Sequence, residues 1–145
     1  MKWILGLLVA VSFNAHAFTN IVVPSIIECS EERLTDFEPS SNTEVFRFAN
    51  AIDVTSLELP YGDPALWSLL YLTKIEFPSP QGPKCYLLES ALLMNASSVG
   101  YSSEEGRLLA LEILVATYDD EAQIGQTTLT VRVRVNQADG TLKFD

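Results

Sequence analysis

The sequence predicts an all-β domain: an antiparallel β-sandwich or a small closed barrel of about seven or eight strands. Three observations predict it. Runs of residues alternate between an apolar and a polar face. Clusters of Pro, Gly, Asn and Asp punctuate them at short intervals. Two cysteines, Cys29 and Cys85, stand 56 positions apart in a chain that opens on an export signal.

Residues 1–17 read as that signal and are expected to be removed. Lys2 gives the positive start, Trp3 to Phe13 a short apolar run, and Ala15-His16-Ala17 the small residues that a signal peptidase reads. A membrane-spanning helix needs about 20 apolar residues, and this run is shorter and ends at Asn14. The mature chain is then residues 18–145, a single domain. No later segment is apolar for long enough to span a bilayer. Export places it in an oxidising compartment, periplasmic or extracellular, where the two cysteines read as one disulfide. A redox pair would sit as Cys-x-x-Cys.

Ile21 to Cys29 is apolar and β-branched but broken by Pro24, which suits an edge strand. Residues 38–43 form a loop. Glu44 to Ile52 alternates, with Phe46, Phe48 and Ile52 on one side, and Val54 to Leu59 continues the pattern. Pro60 to Pro64 is a turn. Trp67 to Phe77 is the longest strand candidate, with Trp67, Leu69, Tyr71, Ile75 and Phe77 on one face. The three prolines between Pro78 and Pro83 are expected to stop it, because proline supplies no ladder donor. Cys85 to Met94 returns as its hairpin partner, and Asn95 to Gly106 is a polar connection.

Arg107 to Tyr118 suits a buried strand. A short helix over 103–116 is the alternative, with Ser102 or Ser103 as its cap and Glu104 and Glu105 in its first turn. The plain alternation of the next run favours strand. From Thr127 to Val135, Leu129, Val131, Val133 and Val135 face inward while Thr128, Thr130, Arg132 and Arg134 face outward. Asn136 to Gly140 is a hairpin loop, and Thr141 to Asp145 pairs back through Leu142 and Phe144.

Composition narrows the function. Lys and Arg number 9 against 19 Asp and Glu, a formal charge of −10, and loss of Lys2 makes the mature chain one unit more negative. Such a chain repels phosphate backbones and anionic lipid surfaces, so nucleic acid is not an expected partner, and a cationic protein is. His16, the one histidine, leaves with the signal. The mature chain therefore has no imidazole for a Ser-His-Asp or Cys-His nucleophile or for a zinc site. No catalytic residue and no cofactor is expected.

The remaining candidates are few. Asp119, Asp120 and Glu121 form the densest acidic group and could offer oxygens to Ca²⁺, although no Asp-x-Asp-x-Asp-Gly pattern surrounds them. Glu28, Glu31, Glu32, Glu58, Glu76, Glu89 and Glu112 could supply paired carboxylates. Glu89 and Glu112 interest most, since each lies inside an apolar run. Arg132 and Arg134 form a basic stripe, suited to acids on neighbouring strands or to a carboxylate ligand. Asn95-Ala96-Ser97 matches a glycosylation acceptor. Tyr61, Tyr101 and Tyr118 lie in or beside loops.

The expected function is a non-enzymatic binding or inhibitory domain. Its partner would be another exported protein, of cationic character, or a glycan. A carboxylate-based glycan hydrolase is one alternative and needs two acids at about 5–9.5 Å. The other is an assembly subunit that adds strands edge to edge through Leu129 to Phe144.

Overall fold

The structure, a computed structural model, describes residues 20–39, 45–49, 51–60, 70–118 and 124–145. Most of them lie in antiparallel strands. In chain order these are β1 (Asn20–Ile21), β2 (Ile26–Glu28), the short helix α1 (Glu31–Leu34), β3 (Glu38–Pro39), β4 (Phe46–Phe48), β5 (Ile52–Glu58), β6 (Tyr71–Ser79), β7 (Gly82–Glu89), β8 (Leu92–Ser102), β9 (Gly106–Tyr118), β10 (Ile124–Asn136) and β11 (Thr141–Phe144). The export signal and the acidic group Asp119, Asp120 and Glu121 fall outside the described residues.

The strands make two sheets rather than one closed barrel. In the first, β9 has β10 on one side and β8, then β1, on the other, and β11 lies beyond β10. The second runs β2-β7-β6-β5, with β3 and β4 both on the far side of β5. The two sheets share one apolar core. Ile52, Val54, Ile75, Phe77 and Leu88 of the second sheet meet Leu93, Leu109, Leu111, Ile113, Val115, Val133 and Val135 of the first. Each fully buried aliphatic side chain contributes about 1.5–3 kcal/mol by leaving water.

A smaller cluster lies on the other face of the second sheet. Leu57, Leu72 and Leu87 are buried there beneath Ile27, Cys29, Leu34 and Phe37. The covering segment is held at several points. Cys29 and Cys85 are joined as a disulfide with Cα atoms 5.3 Å apart. Ser30 caps α1, its Oγ accepting from the Arg33 N–H at 3.2 Å. Arg33 donates to Glu89 through Nε and Nη2, the latter at 2.9 Å, and lies over the Phe37 ring.

Several expectations are corrected, and one alternative falls. The prolines do not stop the strand: β6 and β7 form one tight hairpin in which Pro78 faces Pro83 and Ser79 faces Gly82. Pro78 and Pro83 direct their missing amides away from each other, to positions where no neighbouring strand reaches, so nothing is lost. Asn95 to Gly106 is no polar connection but most of β8. Bulges at Leu93/Asn95 and Ser98/Gly100 shift its alternation twice and hide the strand. The helix alternative over 103–116 gives way to β9, whose Leu109, Leu111, Ile113 and Val115 fill the core at period two. The helix α1 differs from the expected strands and loops, and the strands among the described residues exceed the expected seven or eight.

Two backbone turns fix how the first sheet is laid out. At the β8–β9 turn Gly106 has φ +88°, and a Cβ there would collide with the carbonyl oxygen of Val135. At the β10–β11 turn Gly140 has φ +73°, and its carbonyl accepts from the Tyr86 hydroxyl at 2.7 Å, which ties β7 to the opposite sheet.

Candidate functional site

β2 and β11 end their sheets on the same side of the molecule. Between them runs a groove of about 560 Å³, floored by Tyr86 and walled by Pro24, Ile26 and Ile27 on one side and Leu142 and Phe144 on the other. Glu28 and Lys143 stand at its rim. Register explains the apolar lining. Ile26 is opposite Leu88, Leu142 opposite Val135, and Phe144 opposite Val133, so all three belong to the faces that look into the core. At the open side these faces lose their cover, and Phe144 is 41% exposed.

Beside the groove the edge of the first sheet steps back. β10 has 13 residues and is paired with β9 from Ile124 to Val135, but β11 has 4 and covers only Val133 to Asn136. One further bond, from the Asp145 N–H to the Arg132 carbonyl at 3.0 Å, closes the covered part. That bond fixes which β10 groups face this side. Backbone groups alternate along a strand, so Arg132 and Arg134 point to β11, and Gln126, Thr128 and Thr130 point the same way with no strand beside them among the described residues. Three N–H and three C=O groups thus form an edge without a strand partner among the described residues. Leu129 and Val131 sit between them on the inner face, half-buried against the core.

The sequence candidates distribute as follows. Glu89 and Glu112 do not meet. Glu89 pairs with Arg33 on the outer face of the second sheet, while Glu112 is exposed on the outer face of the first, opposite Thr130. Glu31 and Glu32 lie in the first turn of α1, Glu58 ends β5, and Glu76 pairs with Lys74 at 3.2 Å. Among the described residues no three His, Cys, Asp or Glu side chains gather as a metal site. Asn95 is exposed on β8. Tyr101 is exposed with the Arg107 guanidinium over its ring, Tyr118 is half-buried at the end of β9, and Tyr61 falls outside the described residues.

The basic stripe divides. Arg134 holds Asp145 at 2.9 Å and Glu105 at 3.5 Å. Arg132 lies directly across from Asp145, whose carboxylate turns to Arg134 instead. Arg132 is left exposed, without an ion-pair partner among the described residues, at the point where the open edge begins.

Away from the seam, Arg47 grips Asp53 through two hydrogen bonds of 2.6 and 2.9 Å across the β4–β5 hairpin. Those bonds hold the Asp53 carboxyl below its ordinary range. The folded value lies below the unfolded one, so this pair stabilises the fold above about pH 4, and that contribution is lost as pH falls through the lowered value. Asp53→Asn removes it. In urea unfolding, the stability gap between wild type and variant should be present at pH 6 and shrink by pH 2. A gap that does not change with pH would contradict the assignment.

Sequence places edge-to-edge strand addition at Leu129 to Phe144; the uncovered stretch overlaps that span only at its start and extends back to Gln126, and no residue marks its limits. The short reach of β11 creates it. Comparison with known proteins finds no matching family model, no similar curated protein and no similar solved structure, so the reading rests on this geometry.

Proposed function

We propose that the chain is an exported, non-enzymatic binding or inhibitory domain. It is built as a β-sandwich and takes an extended segment of a partner protein as an added strand on β10. One observation carries this: the row of main-chain groups on Gln126, Thr128 and Thr130, without a strand partner among the described residues, beside the half-buried Leu129 and Val131. Main-chain groups of that kind bind another backbone with little regard to sequence, and neighbouring side chains set the preference. Natural sheets blunt exposed edges with prolines, lysines or covering loops. From Gly125 to Val131 β10 has neither proline nor lysine.

The signal pattern in residues 1–17 and the disulfide support export. No helix among the described residues is long and apolar enough to cross a membrane. The charge of −10 opposes close approach of a second copy and favours a partner of other composition.

Thr128→Pro tests the reading. Proline on a solvent-facing edge position removes one donor and sets its ring in the path of an added strand, yet breaks no bond to β9. Residues 18–145 in both forms are compared as bait against the exported fraction of the source organism. The expected result is a partner retained by wild type and released by a variant of similar stability. Retention of the same partners by both would overturn the reading.

A further inference from the structure

The seam also says what kind of strand would fit, an inference that rests on the strand-addition reading. A strand lying antiparallel to β10 and in line with β11 has its hydrogen-bonding phase and its faces set by the existing ladder. The pairs Val133–Phe144 and Arg134–Lys143 continue beyond Asp145 to positions opposite Val131, Thr130, Leu129 and Thr128 in turn. Residues opposite Val131 and Leu129 turn inward, to the half-buried apolar face. Residues opposite Thr130 and Thr128 turn outward, to the face that carries Arg132.

We propose that the partner strand carries a carboxylate opposite Thr130 and aliphatic side chains on either side of it. The diagonal neighbour of that outward position is Arg132, which lies within reach of a side chain there. Its own cross-strand neighbour, Asp145, is committed to Arg134 at 2.9 Å. Glu112 lies on the far side of Thr130, two strand spacings from the added residue, or about 9.6 Å. At that distance its repulsion is screened at physiological salt, where the Debye length is about 8 Å. The seam therefore selects locally for an acidic strand residue, whatever the charge of the rest of the partner.

The probe is the capped heptapeptide Val-Asp-Val-Thr-Val-Thr-Gly, whose aspartate falls opposite Thr130, and its affinity is read by fluorescence anisotropy on residues 18–145. The same peptide with lysine at the second position should bind about fivefold more weakly, and Arg132→Glu should reverse the preference. Methylating the peptide nitrogens of the second, fourth and sixth residues should abolish binding, as should Thr128→Pro. The methylated peptide keeps the test valid if that variant folds poorly. Equal binding of the aspartate and lysine peptides, with methylation still blocking both, would overturn the acidic preference and leave strand addition standing. No binding at millimolar peptide, or binding that survives methylation, would overturn both.

Discussion

Replacing Cys29 and Cys85 with serine is expected to lower stability by about 4 kcal/mol, because the bond closes a loop spanning 56 positions. The loss should have a place as well as a size. Cys29 begins the segment that covers Leu57, Leu72 and Leu87, and the ties that remain include the bond from the residue 29 N–H to the residue 85 carbonyl at 3.0 Å, the Ser30 cap, the Arg33–Glu89 pair and the Leu34 and Phe37 contacts. With Arg33 and Glu89 each about 30% exposed or less, that ion pair adds little by itself. Urea unfolding of the double serine variant at pH 7 measures the change. A loss under about 1 kcal/mol would mean that α1 and its flanks hold the cover without the bond.

Leu111→Ala is expected to cost about 3–5 kcal/mol. Leu111 is 0% exposed in the middle of β9, with Val131 across one ladder and Ala96 across the other. A strand paired on both sides and packed against a second sheet has little freedom to collapse into the space left, so the cavity persists. The same substitution at Leu129, half-buried at the open edge, should cost clearly less. Equal losses at the two positions would place Leu129 in a closed core and leave no room for an added strand.

Much of the sheet structure was legible because it follows from period-two patterning. Leu129, Val131, Val133 and Val135 alternate without interruption, and all four lie on the core side. Patterning failed where an extra residue broke the count. In β8 the bulges reverse parity twice, so Leu93 and Ala96 face the core three residues apart rather than two and the segment reads as polar. It failed again at Pro78 and Pro83, where only the register shows that the missing amides face no neighbour. The α1 cap was readable in principle: Ser30 followed by Glu31 and Glu32 is a helix-start signal, but four residues leave no periodicity to confirm it.

The candidate site was less legible, for a different reason. An open edge is a relation between strand lengths, and nothing in Gln126 to Thr130 marks those residues as unpaired. The contrast between Arg132 and Arg134 depends on where one carboxylate, that of Asp145, comes to rest. In sequence the two arginines are equivalent.

Amide hydrogen exchange along β10, read residue by residue by NMR with and without the heptapeptide, tests strand addition most directly. In the free protein the amides of Thr127, Leu129 and Val131, which face β9, should exchange slowly, and those of Gln126, Thr128 and Thr130 quickly. With peptide bound, the second set should become protected while the first changes little. Protection of Gln126, Thr128 and Thr130 already present in the free protein, or their unchanged fast exchange in the peptide complex, would contradict it.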